Sequence, residues 1–527
     1  MYSWIKQNLI KVKNIEKFCN SNKSNLQSNS KNSYGFKQIV LLELNVSFIT
    51  YVLYSMLCQI KKDQGFKILA YNPLRSKTIK DNITFHLFSK INFDNGVFRP
   101  FRILRSMSVD RFIQPNGLKR FLPLALIAYR NLNHENKYDL VDLTLEDILV
   151  GDLIYDWHLR QRLTDTVNMR SDNFKADFLF FVCNFYWWQQ YFQSNKVDSI
   201  YISHTALQFA LPARIAIKYG AKSFLAANDR MYKIHSDRLW SDLECLDYVP
   251  MKEEQLGYRV NMQRSRLELQ KLREGKAITA AHDNGNGYLG SISELLVKDR
   301  DQTNILIAVH CFSDAPHGYG KMLFPDFREW LNNIGELSKK TNYHFYAKAH
   351  PHFWDSDAFN FKKFLNDYQN IIDLPSNISN LELFKQGINA VFTVHGTIAF
   401  EAAYEGIFVL NGSLNAPHIN YDFSLTPKTI DEFNQTVLNL PEIIDKWKVN
   451  RSSVEHFFDL HHLRKNQNFM FPGNTKDLYE YIGGYKQQFT NPKVFEFWLS
   501  KIDYHQREKV RSIIAEFIEG SEYLLIS

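Results

Sequence analysis

The sequence predicts two α/β domains, the second a doubly wound parallel sheet. Three observations carry this. Short apolar runs alternate with segments of helical period over most of the chain, the pattern of β-α-β units. A turn-rich segment at 283–290 (DNGNGYLG) interrupts the alternation and marks a domain boundary. Beyond it, three strand-like segments each end on a histidine: 304–310 (NILIAVH), 343–350 (YHFYAKAH) and 390–395 (AVFTVH). Ligands of open α/β sheets bind in the crevice outside the carboxyl ends of the strands. His310, His350 and His395 are therefore aimed at one place.

Length and composition bound the answer. A chain of 527 residues fits two or three domains. Its 45% hydrophobic and 15% aromatic content supplies folded cores and excludes wholesale disorder. The net charge of +7 is spread among interspersed acids and bases, which predicts weak attraction to anions and no nucleic-acid footprint. The five cysteines are scattered, without CxxC spacing. That argues for reduced thiols, a cytoplasmic compartment and no zinc ribbon. Cys311 follows His310, but adjacent strand residues point to opposite faces, so the two do not pair directly.

The elements follow in order. Residues 1–35 combine a short basic piece around Trp4 and Lys6 with a Ser/Asn-rich stretch; they read as a flexible basic tail, or else as a weak peripheral contact with the inner membrane face. Nothing there resembles a signal peptide. The first domain spans 36–288. It opens with a strand at 38–44 (QIVLLEL) and an apolar run at 46–60, too short to span a bilayer and better placed as a buried helix. A strand at 67–71, a large helical insertion around 105–195, a strand at 198–203 ending at His204, a helix stopped by Gly220, and a strand at 222–227 complete it. The second domain, 289–427, alternates the three histidine-ended strands and two more (NIIDLP and IFVL) with helices at 326–340, 356–368, 380–386 and 397–405. Residues 428–527 are helical in pattern and aromatic, and are expected to pack back across both domains.

The chemistry concentrates after three strands. In His395-Gly396-Thr397 a strand ends, a glycine turns the chain and a helix begins. Helix N-termini offer unpaired N–H groups and a positive dipole end to anions. Thr397 is placed to cap and to meet a phosphate oxygen, and Glu401, one turn on, to accept from a ribose hydroxyl. His350-Pro351 ends the neighbouring strand, with Lys348 close by. The loop His310-Cys311-Phe312-Ser313-Asp314-Ala315-Pro316-His317 follows the first strand and adds His317. A catalytic zinc set from the three histidines is the competing chemistry, but no HExxH pair accompanies it.

With these motifs the second domain resembles the nucleotide-donor domain of GT-B glycosyltransferases of bacterial surface-polysaccharide synthesis. The likeness is to the group holding capsular Kdo transferases and polysialyltransferases. His350-Pro351, the His395-Gly396-Thr397 turn and Glu401 to Gly406 (EAAYEG) carry it, over about 300–425; in the first domain it is limited to LLEL, GDLIYDWHLR and the 204–220 unit. The resemblance implies a GT-B fold, two doubly wound domains facing one another across a cleft, and transfer of a sugar from a nucleotide sugar, CMP- or UDP-linked, to a glycan or lipid-linked acceptor. It implies His350 and Thr397 on the donor phosphate and Glu401 on the ribose, with His310, His317, His395 and Gly396 around them. No metal or resident cofactor is expected. An acceptor hydroxyl needs a base; Asp156, His158, His204 and Asp229 of the first domain are the candidates, Asp156 and His204 ranked first. Other uses of such a scaffold are a nucleotide-sugar epimerase, a polyol-phosphate transferase or a non-catalytic binding protein.

Overall fold

The computed structural model describes residues 13–24, 38–44, 47–75, 77, 79–90, 99–227, 230–240, 259–274, 295–297, 299–350, 353–463, 469–471, 475–522 and 524–525. The expected boundary at 283–290, the candidate base Asp229, Pro351 and His352 lie outside the described residues.

The first sheet contains β1 (Ile39–Glu43), β2 (Lys67–Tyr71), β3 (Arg111–Ile113), β6 (Val197–Ile202), β7 (Lys222–Ala227), β8 (Arg230–Ile234) and β14 (Leu524–Leu525). Between β3 and β6 stand the short antiparallel pair β4 (Thr144–Leu145) and β5 (Ile148–Leu149). The order is β14-β8-β7-β6-β1-β2-β3, with β7, β6, β1, β2 and β3 parallel and β8 and β14 antiparallel at one edge. The second sheet contains β9 (Asn304–Ala308), β10 (His344–Lys348), β11 (Ile371–Leu374), β12 (Ala390–Thr393) and β13 (Phe408–Asn411). It is parallel throughout, in the order β11-β10-β9-β12-β13.

Alternation along the strands divides the cores. Val40 and Leu42 enter one apolar cluster and Leu41 another; Ile305 and Ile307 part from Leu306 in the same way. Both sheets are thus covered on both faces, which is why their strands read as continuous apolar runs. The run after β1 forms the helix Phe48–Asp63, buried along nearly its whole length. Among the described residues no helix is long and apolar enough to cross a membrane.

Two domain expectations change. Part of the expected tail is a helix, 13–24. Its Ile15, Phe18 and Cys19 are buried, Phe18 stacks on Phe495 at 4.1 Å, and Asn14 donates to Glu496 at 2.9 Å. A buried phenylalanine contributes roughly 1.5–3 kcal/mol, so this segment is anchored. The helix Met262–Arg273, expected in the first domain, belongs to the second: Leu269 and Leu272 enter its core. Arg264 pairs with Asp459 at 2.7 Å and Arg266 with Glu455 at 2.8 Å. The segment after 428 first packs on the second domain through Phe433, Val437 and Phe458. It then returns to the first through Leu478, Trp498 and Phe517, and ends as β14 in that sheet.

Candidate active site

Each sheet reverses its strand order once, between β1 and β6 in the first and between β9 and β12 in the second. Such reversals open the crevice in which α/β proteins bind ligands, and the candidate residues gather at both.

At the first reversal, β1 ends on Glu43 and β6 runs into Ser203 and His204. The Ser203 backbone N–H donates to Glu43 Oε2 at 2.7 Å and its hydroxyl meets Oε1 at 2.7 Å. The same hydroxyl lies 2.8 Å from His204 Nδ1. Glu43 and Ser203 are buried, while the His204 ring is exposed to the cleft and rests on Phe209 at 5.2 Å. Burial pushes the Glu43 carboxyl up to about 7, against the two Ser203 hydrogen bonds. Partial desolvation and then the Arg160 guanidinium hold the His204 imidazole below its ordinary value, with Asp314 opposing. His204 is therefore neutral near pH 7.

The helix Gly151–Arg162 links this point to the second domain. Arg160 pairs with Asp314 at 2.5 Å and covers the Trp354 ring at 4.4 Å. Asp156 is buried, and both its oxygens take bonds from His317: the backbone N–H at 3.1 Å and Nδ1 at 2.7 Å. Burial opposes a charge on His317, but Asp156 outweighs it and holds the imidazole above its ordinary value. This corrects the expectation of Asp156 as the base. A carboxylate so enclosed and occupied cannot reach an acceptor hydroxyl; it fixes His317 instead. His317 Nε2 is buried without a partner among the described residues.

At the second reversal the three histidines each stand two residues beyond a strand end. His310 Nε2 accepts from the Val394 N–H at 3.4 Å and lies 3.4 Å from Thr393 Oγ1. Its ring stacks on Phe327 at 5.0 Å and lies 4.8 Å from that of His395. Desolvation, then His395 and His350, hold His310 well below its ordinary value, so it stitches β9 to β12 as a neutral ring rather than supplying charge. His395 also contacts Tyr319 at 4.7 Å. Cys311 Sγ lies 3.6 Å from His350 Nδ1, and burial pushes the thiol up to about 12, which removes it as a nucleophile. Among the described residues no group of three His, Cys, Asp or Glu is placed to hold a metal ion.

The turn at Gly396 is tight: a Cβ there would lie 3.1 Å from Thr393 Oγ1 and 3.4 Å from His310 Cε1. Thr397 is exposed but makes no side-chain cap on the seven-residue helix Ile398–Tyr404. Its hydroxyl bonds to Glu401, which corrects the capping expectation. Glu401 is buried and accepts from Asn380 Nδ2 at 3.0 Å. Lys348 donates to Asn380 Oδ1 at 2.6 Å and to the Ile378 carbonyl at 2.7 Å; burial lowers it to about 8 against the pull of Glu401. Glu401 thus belongs to an internal network beneath the turn. The expected ribose contact is corrected, because its carboxylate is buried and already held by Asn380 and Thr397.

The sequence missed Glu43 and Ser203 as site residues. The available signal was an acid closing an otherwise apolar strand, IVLLE. It also missed Asp326, a fully buried N-cap that accepts from Thr166 at 2.6 Å and from Tyr155.

No family model matches the chain, and no curated protein matches it. Among solved structures it is similar to the UDP-GlcNAc 2-epimerase of Neisseria meningitidis bound to UDP-GlcNAc, at 11% identity and TM-score 0.24, over 80% of this chain and 98% of that one. A glycosyltransferase from Rickettsia africae is 9% identical at TM-score 0.24, over 92% and 100%. The wall teichoic acid polymerase TagF is 10% identical at TM-score 0.23, over 98% and 100%. Likenesses of this size carry no weight for the activity of this chain; its own sheets and side chains do.

Proposed function

We propose that the chain is a GT-B-type glycosyltransferase that moves a sugar from a nucleotide sugar to a surface-polysaccharide acceptor. One observation carries the reading. The loop leaving the second strand-order reversal reaches the helix and histidine at the first, through Arg160–Asp314 and Asp156–His317. Two ligand crevices joined in this way suit a reaction between two substrates held by different domains.

In this reading the donor phosphates lie against the 395–397 turn, with His350 and Thr397 as donors and His317 adding charge from the 310–317 loop. His317 suits the role because Asp156 keeps it charged; its ring is enclosed, so it acts through its field and not by contact. His310, His395 and Gly396 shape the turn. No metal is needed for this stabilisation, since preorganised donors and an imidazolium can hold a leaving phosphate. His204 is the base, neutral and open to the cleft. The nucleotide is CMP or UDP and the acceptor a glycan or lipid-linked glycan, met at the inner face of the membrane.

Thermal unfolding with CMP-, UDP-, GDP- and CDP-sugars tests this. One of them at 100 times its Kd should stabilise the chain by roughly 2.7 kcal/mol, and His350→Ala and Thr397→Ala should weaken that gain. Absence of any shift overturns the reading. Turnover of the sugar nucleotide without an acceptor would favour an epimerase, and tight binding with no transfer to any acceptor a non-catalytic binder.

A further inference from the structure

We propose that Glu43, Ser203 and His204 form a hydrogen-bonded relay that fixes the tautomer of His204 and presents its Nε2 as the proton acceptor. The inference rests on the reading of His204 as the base. It stands on three short contacts across the first strand-order reversal, from Glu43 to the Ser203 backbone and hydroxyl, and from that hydroxyl to His204 Nδ1.

The donors and acceptors fix the direction. An ionised Glu43 can only accept, so the Ser203 O–H donates to Oε1. The Ser203 oxygen is then left to accept from Nδ1–H of His204. With its proton on Nδ1, the imidazole offers a lone pair at Nε2 to the cleft. Ser203 is buried, so it relays and does not attack. In the reaction, the acceptor O–H gives its proton to Nε2 and its oxygen forms the new bond to the anomeric carbon. The bond from that carbon to the donor phosphate oxygen breaks, and the phosphate leaves with the electron pair. Glu43 and Ser203 are positioning residues throughout, since neither meets substrate.

The relay can be reversed. A protonated Glu43 would donate to Ser203 Oγ, whose O–H would then donate to Nδ1, moving the ring proton to Nε2 and removing the base. The titratable groups facing Glu43 are Tyr54 of the helix Phe48–Asp63 and Tyr71 of β2. Those facing His204 are Arg160 of the helix Gly151–Arg162 and Asp314 of the second domain. Burial holds Glu43 at about 7, so the reversal falls within the neutral range.

The test uses the full chain labelled with ¹⁵N-histidine, with His204 assigned by its loss in His204→Ala. Wild type at pH 8 should show the Nδ1–H tautomer, shifting toward Nε2–H as the pH falls through the neutral range. Glu43→Gln donates an amide N–H to Ser203 Oγ and should hold Nε2–H at every pH where the ring is neutral. Glu43→Asp should restore Nδ1–H at least in part, and Ser203→Ala should leave the two tautomers mixed. An unchanged His204 signal in folded Glu43→Gln overturns the relay. With a donor and acceptor in hand, Glu43→Gln should lower kcat by roughly 100- to 10,000-fold with little change in donor KM. Full activity in His204→Ala would overturn the base itself, while the tautomer result would still report on the relay.

Discussion

A carboxyl group buried at the end of an apolar strand disfavours its own charged form, and among the described residues Glu43 has no cation as a hydrogen-bond partner, only Ser203. Its folded value, about 7, lies above the ordinary 4.5. A raised value means that the contribution to stability is fully present below the unfolded value and is lost as pH rises through the folded one. Glu43→Gln removes the charge and keeps the size. The variant should therefore gain on wild type between pH 5 and pH 9, by up to about 3 kcal/mol at the alkaline end. Urea unfolding across that range reads it, and a difference that does not grow with pH refutes the burial argument. At this scale the sequence shows the three histidines, because a histidine two residues past a strand end is visible in the pattern. It does not show that Ser203 meets Glu43, for they lie 160 positions apart and are joined only by sheet order. The assigned roles of Asp156 and Glu401 failed for the same reason: their partners His317 and Asn380 come from other elements.

Elements of strong period are where sequence and structure agree. The helices expected at 326–340, 356–368, 380–386 and 397–405 occur at Phe327–Ser338, Asp355–Asp367, Asn380–Gln386 and Ile398–Tyr404. The helix at 13–24 was illegible because its basic, Asn-rich surroundings mask the three residues that dock, and docking depends on Phe495, far along the chain. Gly151 is a further case. It opens the helix that carries Asp156 and Arg160, and a Cβ there would lie 1.7 Å from the Leu140 carbonyl oxygen and 2.8 Å from the Leu143 backbone nitrogen. These are backbone atoms, and Gly151 itself donates to the Leu143 carbonyl at 3.0 Å, so the neighbour cannot yield by a rotamer change. Gly151→Ala should cost about 3 kcal/mol or more and shift the helix that meets the second domain. Chemical denaturation measures the cost; a loss within about 0.5 kcal/mol, the range of an ordinary surface change, would show that the approach is looser than it looks.

At the scale of the whole molecule, the contact between the domains is polar and largely ionic. Arg328 pairs with Asp165 at 3.3 Å, Lys321 with Asp142 at 2.8 Å, and Tyr138 donates to the Leu323 carbonyl at 2.9 Å. Polar contacts of this kind permit relative domain motion, which the proposed two-substrate reaction would require for entry and release. Asp156–His317 is the buried member of the set, both side chains 1% exposed. The folded value of His317 lies above the ordinary one, so the stabilisation it brings is fully present below the unfolded value, near 6.5, and is lost as pH rises through the folded value. The domain contact should therefore loosen on the alkaline side. Hydrogen exchange in the 311–326 loop and in the helix Gly151–Arg162 should accelerate from pH 6 to pH 9, beyond the intrinsic rise, with a larger radius of gyration by X-ray scattering. Asp156→Asn removes the charge that holds the proton. Breaking one side of a buried pair costs about 3–5 kcal/mol, so this variant should already be loose at pH 6 and should change little with pH. Wild type and Asp156→Asn with the same pH response would place the alkaline loosening on a different group and leave His317 as a neutral ring at the domain contact.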